Sequence, residues 1–285
     1  MPIGGNISGG GGGGGEDSAW SVEAEIDFTT LAPHDFLAAG TPTDSATITA
    51  ASGAVSWEAM CGPNNLDTYA STFEINASGL QIEAIANNSA NTDYYGGVTR
   101  APRLGPKIAD IISNYDYYND IVVIQAHITA GTALSDDFQA YGLTCDSHLA
   151  SQDAWIAAQA KYFSSGRGVE LITKTNEFYT LTNPADASFF ELVVGPRIGV
   201  VEGAVSDWQG SFPEPRSALV ADPGWSGLRG SSLIKPVEGP SPSMSPLEGS
   251  PDAADGYLSV MAQGPWSNTA FTMTCHKVRF LRLIK

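Results

Sequence analysis

The sequence predicts an all-β fold, built either as a two-sheet antiparallel sandwich or as a barrel. Short strand patterns recur along most of the chain, and apart from one or two turns over residues 106–113 no segment is convincingly helical. Among 285 residues there are 31 Gly and 17 Pro, and charged residues make up 16% against the usual ~25%. Many strands with closely spaced turns are typical of sandwiches and barrels.

The first strand has the clearest pattern in the chain. In WSVEAEIDF, residues 20–28, the side chains of Trp20, Val22, Ala24, Ile26 and Phe28 alternate with those of Ser21, Glu23, Glu25 and Asp27. A period of two predicts a strand with one face toward a core and one face toward water.

Later segments supply hairpins and central strands. Residues 46–50 and 54–60 flank a Ser-Gly turn, and residues 72–85 contain another turn, so each region is predicted to form a hairpin. Residues 120–128 and 189–194 are apolar at consecutive positions. Such runs fit central strands that are covered on both faces.

Three regions define the predicted organisation. Residues 1–19 have no hydrophobic period and include the glycine run 9–15, so we expect a flexible leader, or attachment arm, in which the run reaches roughly 15 Å. Residues 20–285 form one sandwich domain, and the Pro- and Gly-rich residues 209–256 make a long loop excursion from it. The flanking tryptophans are expected to pin this excursion to the sandwich rather than to line a cleft; they are Trp208, Trp225 and Trp266.

The net charge of −17 argues against nucleic acid and membrane surfaces as partners, because both are anionic. The N-terminus lacks the pattern of a secretory signal, and no apolar run is long enough to span a membrane, so we expect the chain to fold in a cytoplasm. The number of cysteines is odd and they lie far apart in the sequence, which predicts free thiols in the core; they are Cys61, Cys145 and Cys275. No motif calls for a cofactor.

The strand segments WSVEAEIDF, FEINASGLQIEA, DIVVIQAHITAG, AYGLTC and KVRFLRLIK together resemble the concanavalin A-like jelly-roll superfamily. The N-terminal MPIGGNISGGGGGGG resembles the flexible leaders of bacteriophage virion proteins, such as head decoration proteins, fibres and tail adaptors. These resemblances imply a jelly-roll module on a virion that assembles with capsid or tail proteins and with sister subunits, as a homotrimer by analogy. The superfamily also includes glycan-binding lectins and glycan-cleaving enzymes, so the fold leaves the activity open.

Glu23, Glu25 and Asp27 are the catalytic candidates, because their spacing places three carboxylates on one strand face. In jelly-roll glycanases two carboxylates at ~5 Å act as nucleophile and acid. The pattern there is Glu-x-Asp-x-(x)-Glu, whereas this strand has Glu-x-Glu-x-Asp followed by Thr29. A solvated strand face is the simpler interpretation, so no residue is assigned as catalytic.

Clustered tyrosines are the ligand-binding candidates, since a tyrosine ring can stack on a sugar or anchor a protein partner. They are Tyr94, Tyr95, Tyr115, Tyr117 and Tyr118. The alternative is that these rings only cap the ends of the sandwich. Neighbouring oxygens of Asp116, Asn119 and Asp120 suit Ca²⁺, but the EF-hand pattern is absent, and no metal is predicted.

The histidines are scattered at positions 34, 127, 148 and 276 without a zinc-binding spacing. His127 alternates with Val123 and Gln125, which predicts a hydrogen-bonded histidine in the core. No GxSxG elbow is present.

The sequence therefore predicts a non-enzymatic virion structural protein that acts through protein–protein assembly, with glycan binding as a further role. The alternatives are a free lectin-like module and a glycoside hydrolase or lyase of the same fold.

Overall fold

A computed structural model of the chain describes most of the predicted sandwich. The described residues are 20–41, 43–50, 53–61, 66–85, 101–131, 139–146, 155–163, 166–172, 177–180, 188–195, 201–215, 232–234, 256–264 and 270–284. The leader and the residues Tyr94, Tyr95, His148, Trp225 and Trp266 lie outside these ranges.

Nearly all the regular structure is strand. In chain order the strands are β1 Trp20–Asp27, β2 His34–Asp35, β3 Thr43–Ala50, β4 Gly53–Met60, β5 Ala70–Asn76, β6 Gly79–Ala84, β7 Arg103–Gly105, β8 Val122–Ala130, β9 Ala140–Asp146, β10 Trp155–Phe163, β11 Gly166–Ile172, β12 Glu177–Thr180, β13 Phe189–Val194, β14 Val201–Ser206, β15 Ser232–Ile234, β16 Tyr257–Gln263 and β17 Phe271–Leu283. One α-helical turn, α1 Ile108–Ile111, and two 3₁₀ turns, Phe28–Thr30 and Leu66–Thr68, complete the described elements. No helix in the described ranges is long and apolar enough to cross a membrane.

Two antiparallel sheets form the sandwich. The large sheet has nine strands in the order β15-β14-β13-β8-β17-β6-β5-β2, with β1 also paired to β17. The small sheet has eight strands in the order β12-β11-β10-β9-β16-β7-β4-β3. The chain passes repeatedly from one sheet to the other, and its first strand pairs with its last. The predicted all-β sandwich of two antiparallel sheets is confirmed.

The core lies between the sheets and is rich in aromatic rings. Trp57 is fully buried and makes edge-to-face contacts with Phe28 at 5.5 Å and Phe280 at 5.7 Å between ring centroids. All three cysteines are buried and free, as predicted. Burial raises the pKa of the Cys61 thiol to about 12, so this side chain behaves as a small hydrophobe.

Most of the strand predictions are confirmed in position. The two predicted hairpins are β3–β4 and β5–β6, and the runs at 120–128 and 189–194 become the buried strands β8 and β13. In β1 the inward alternation fails at Val22, which is 52% exposed. A shift of register between Val22 and Ala24 interrupts the pleat there, because a β-bulge inserts one extra residue.

The domain limits remain predictions. Inside the predicted excursion the structure describes residues 209–215 and β15, which pairs with β14 and extends the large sheet.

Candidate functional site

The outer face of the large sheet, which points away from the main core, carries rows of polar side chains. Residues directly opposite each other in paired strands share a face, so the register alone aligns them. Glu25 on β1 lies opposite Arg279 on β17, Arg279 lies opposite Gln125 on β8, and Gln125 lies opposite Glu191 on β13. Four strands therefore contribute one row that contains three charged groups and one amide.

The part of this row from Arg279 to Glu191 is hydrogen-bonded. The Nε of Arg279 donates to Gln125 Oε1 at 3.1 Å, and Gln125 Nε2 donates to Glu191 Oε2. Gln125 is fully buried and Glu191 is 4% exposed, although both lie outside the main core. Burial lowers the pKa of Arg279, and the carboxylates of Glu25, Glu214 and Glu191 oppose that shift. These bonds join β17, β8 and β13 through paired polar groups, whereas Glu25 on β1 is exposed.

Residues 207–215, which we call the strap, cover this row. Gln125 Nε2 and Arg279 Nη2 both donate to the carbonyl oxygen of Pro213, at 3.0 and 2.7 Å. The Arg279 guanidinium also lies 5.2 Å from the ring centroid of Phe212, a cation–π distance. The strap is thus held by polar and aromatic contacts from two strands.

Trp208 fixes the start of the strap. Its ring stacks on His127 at 4.5 Å with an interplanar angle of 4°, and Phe212 meets its edge at 5.0 Å. Its backbone N–H donates to Ser188 Oγ at 2.8 Å. The prediction that tryptophan pins the excursion is therefore confirmed for Trp208.

His127 does not occupy the core as predicted. It follows Val123 and Gln125 on the outer face, where it packs between Trp208 and His276, whose ring lies 4.6 Å away. Burial, together with the nearby positive charges of His276 and Lys277, lowers the pKa of His127 to about 4. The prediction was wrong because β8 is covered on both faces, so burial did not distinguish the core from the outer face.

On the side of the strap toward β6 and β5, the outer face is open to solvent and its side chains are polar. This polar face consists of Thr72, Glu74, Asn76, Gln81, Glu83, Thr129, Thr272, Thr274 and His276, all of them half-buried. Its rows follow from the register: Thr274 lies opposite Gln81, which lies opposite Glu74, and Glu83 lies between Thr272 and Thr72. At the other end of β8 the same outer face of the sheet instead carries a buried apolar cluster of Ile121, Val123, Val193 and Leu281.

Hydrogen bonds hold the polar face in place. Asn76 Nδ2 donates to Glu74 Oε1 at 2.8 Å and to Gln81 Oε1 at 3.1 Å. His276 links the polar face to His127, on which Trp208 of the strap stacks, because its Nε2 lies 2.9 Å from Thr129 Oγ1 while its ring contacts His127. The result is an ordered surface of hydroxyl, amide and carboxylate groups beside an aromatic wall.

The three catalytic candidates meet basic residues of β17. Asp27 Oδ2 lies 3.0 Å from Lys277 Nζ, Glu23 Oε1 lies 3.5 Å from Arg282 Nε, and Glu25 lies opposite Arg279. Glu23 sits at the bulge, so it does not continue the alternation of the other two as predicted. These acid–base pairs join the first strand to the last.

Asp27 has the electrostatics of an ionised structural carboxylate. Burial raises its pKa, but hydrogen bonds from Thr29 and Lys277 outweigh that effect and leave the pKa lowered. The acid of a glycanase pair needs a raised pKa to hold its proton. A catalytic role for Glu23, Glu25 or Asp27 gains no support from this geometry.

Three of the ligand-binding candidates, Tyr115, Tyr117 and Tyr118, lie in the loop between α1 and β8. Tyr118 is 62% exposed and contacts the edge of Tyr117 at 5.2 Å. Tyr115 instead packs against the core, and burial raises its pKa. Tyr94 and Tyr95 lie outside the described residues, so ligand binding by the tyrosines stays a prediction.

The carboxylate oxygens of Asp116 and Asp120, which suit Ca²⁺ by type, accept hydrogen bonds within the same loop. Asp116 accepts hydrogen bonds from the Tyr118 backbone N–H at 2.9 Å and from Asn119 Nδ2 at 2.8 Å. Asp120 accepts from the Asp116 N–H at 2.8 Å and lies 3.8 Å from Arg282 Nη1. Across the described ranges, no three His, Cys, Asp or Glu side chains group as a metal site.

The sequence did not predict that the side chains of the polar face form one surface. The alternation of Thr72, Glu74 and Asn76 in β5, and of Gln81 and Glu83 in β6, indicates wet strand faces. Nothing local shows that β17, almost two hundred positions later, adds Thr272 and Thr274 to the same surface.

Comparisons with known proteins show likeness of fold alone. No protein-family model matches the chain, and no curated protein matches it in sequence. Among solved structures, the GH16 endo-β-1,3(4)-glucanase SCLam aligns over 93% of this chain and 92% of its own, with 11% identity and a TM-score of 0.45. The Bacteroides ovatus protein GH43B of a xyloglucan PUL aligns over 86% of this chain but 39% of its own, with 8% identity and a TM-score of 0.47. The CBM2 module of the evolved Dit of Lactobacillus casei BL23 phage J-1 aligns over 71% and 77%, with 10% identity and a TM-score of 0.32.

Proposed function

We propose that the chain is a non-enzymatic structural component of a bacteriophage particle and that its sandwich binds glycan through the polar face. The observation that carries the glycan-binding part is the polar face itself, an ordered set of half-buried hydroxyl, amide and carboxylate groups beside the Trp208 strap. The virion part is supported by the resemblance of the Gly-rich leader to those of virion proteins.

Sugars need two kinds of contact, and the polar face together with Trp208 of the strap offers both. Their hydroxyls pair with fixed donors and acceptors such as Gln81 and Thr274, and their apolar ring faces stack on aromatic side chains. Trp208 stays partly exposed after it stacks on His127. The face carries Glu74 and Glu83 and no Lys or Arg, so it favours neutral glycans over sulfated or phosphorylated ones.

A glycan array with the wild-type chain tests the binding role. We expect neutral glycans to bind, and Thr274→Val to weaken binding about fivefold, because one hydroxyl hydrogen bond contributes about 1 kcal/mol. Thr30→Val, at an exposed position of the turn after β1, serves as the matched control and should leave binding unchanged. Absence of any glycan signal from the wild type would contradict the binding role.

The particle role needs its own test. In the proposal the partners are capsid or tail proteins and sister subunits, and residues 1–19 act as the attachment arm. We expect the polypeptide in purified particles, and we expect its loss from them when residues 1–19 are deleted while the sandwich stays folded. Purified particles that lack the polypeptide would end the virion proposal without affecting glycan binding.

The enzymatic alternative is tested on a broad polysaccharide panel. We expect no release of reducing sugar by the wild type. Release that Glu25→Gln abolishes would replace the binding module with a glycanase.

A further inference from the structure

We propose that β3 is a contact surface for a second copy of this chain. The two β3 strands would pair antiparallel across a twofold axis, so that the small sheets of both copies join into one continuous sheet. This inference is independent of the proposed function, because it involves the opposite sheet from the polar face.

β3 is a long, straight edge. It pairs with β4 from Thr43 to Ala50 without any shift of register, and within the described ranges no strand lies on its other side. The other edge strands are less suitable: β2, β12 and β15 have two, four and three residues. β1 is as long as β3 but has a bulge and three carboxylates.

Natural sheets protect long edges with lysine, proline, bulges or covering segments, because unpaired backbone groups recruit other strands. The sequence of β3, TDSATITA, contains no Lys and no Pro, and four of its eight residues, three Thr and one Ile, favour strands. Thr43, Ser45, Thr47 and Thr49 are exposed on its outer face. Within the strand the half-buried charge of Asp44 is the one such protection, so this edge remains available for pairing with the strand of a partner.

Charge permits a second copy to be that partner. A chain with a net charge of −17 can approach its own copy only where carboxylates are few. β3 has one ionisable side chain, Asp44, whose Oδ2 lies 3.0 Å from His34 Nε2 in the same chain. By contrast, pairing β1 with its own copy would bring Glu23, Glu25 and Asp27 close to their equivalents.

The alternation of β3 is self-complementary. In one continuous sheet paired residues must share a face, and centring the axis on Thr47 satisfies this condition. Thr47 then faces Thr47 of the second copy, Ser45 faces Thr49, and Ala46 faces Ile48. Asp44 faces Ala50, so no acid lies opposite an acid. Cross-strand Thr–Thr and Ser–Thr pairs are stabilising in antiparallel sheets.

Such a contact is isologous and closes as a dimer, whereas a closed trimer needs a head-to-tail contact. The proposal therefore predicts a dimer where analogy with virion spikes predicts a homotrimer.

A disulfide trap in the full-length chain tests the register. Thr47→Cys places its thiol on the axis, and we expect a dimer on a non-reducing gel that thiol reductant converts to monomer. The natural cysteines, all buried, should not cross-link. Ser45→Cys is the matched control: the two copies of residue 45 would lie ~13 Å apart along the strands, beyond the ~7 Å limit for a disulfide. Failure of Thr47→Cys to link, or equal linking by Ser45→Cys, would overturn the proposal.

Analytical ultracentrifugation gives a second readout. The wild-type chain should sediment with twice the monomer mass, and Thr47→Lys should halve that mass, because two lysines would meet on the axis. Thr30→Lys adds the same charge at an exposed site elsewhere and should leave the dimer intact. Circular dichroism would show that each variant is folded. A monomeric wild type would refute the contact, and so would a trimer whose mass Thr47→Lys does not change. If the wild type is monomeric and the backbone amides of β3 exchange slowly with solvent hydrogen, another segment of the same chain covers this edge.

Discussion

Acid should weaken this protein through His127, and the size of the effect follows from its surroundings. Its ring is stacked under Trp208 and lies 4.6 Å from the His276 ring, with Lys277 nearby. A proton on His127 would be partly cut off from water and close to other positive groups. We therefore predict that the folded state keeps this histidine neutral at a pH where the unfolded chain already binds a proton.

The sign and magnitude follow from linkage. Burial lowers the pKa of His127 from 6.5 to about 4 on folding. Between these values the unfolded chain binds more protons, so stability is complete above about pH 6.5 and falls as pH drops toward 4. One such group changes the free energy of unfolding by at most about 1.4 kcal/mol per pH unit. Since His127 is only partly buried, we expect a loss of about 1 to 2 kcal/mol between about pH 7 and pH 5.

Urea unfolding of the wild type and of His127→Gln at those two pH values measures the effect. Glutamine keeps a planar polar group against Trp208 but has no proton to gain. The wild type should lose about 1 to 2 kcal/mol more than the variant on acidification, while other titrating groups contribute equally to both. An equal pH dependence in the two proteins would refute the argument.

Three further substitutions test the packing and the charge pairs. Gly105→Ala should cost about 3 kcal/mol or more, because a Cβ there would collide with the backbone of Leu258 on β16; thermal unfolding measures the loss. Trp57→Ala should cost about 3–5 kcal/mol in urea unfolding, because this fully buried ring leaves a large cavity. Lys277→Ala should cost less than about 1 kcal/mol near pH 7, because its ion pair with Asp27 is 39% and 31% exposed. The pKa of Asp27 is lowered on folding, so that small cost should vanish once acid protonates this carboxylate, at a pH below its usual pKa of 3.8.

Each of these expectations has a contradicting result. A stable Gly105→Ala would mean that β7 and β16 separate more easily than their close approach indicates. A Trp57→Ala loss under about 1 kcal/mol would show that the core collapses onto the cavity. A Lys277→Ala cost that persists in acid would assign the contribution of Lys277 to packing of its aliphatic stem.

The strand content could be predicted from the sequence because the evidence for strands is local. The alternation over residues 20–28 and the doubly apolar run at 120–128 reflect contacts of each strand with its own surroundings. The two hairpins follow from turn residues a few positions apart. Free, buried cysteines followed from their number and spacing.

The candidate site could not be predicted, because its residues come from strands that pair across long sequence separations. The alternation of β1 shows three carboxylates but not that the last strand supplies Lys277, Arg279 and Arg282 to meet them. His127 was assigned to the wrong face of β8. The strap covers the outer face there, and in the sequence a strand covered on its outer face has the same pattern as one buried in a core. Local composition by itself determined that this chain folds into strands and turns. Which strands lie side by side, and therefore which polar groups share a surface, was decided only by the tertiary structure, since register is set by the packing of whole sheets.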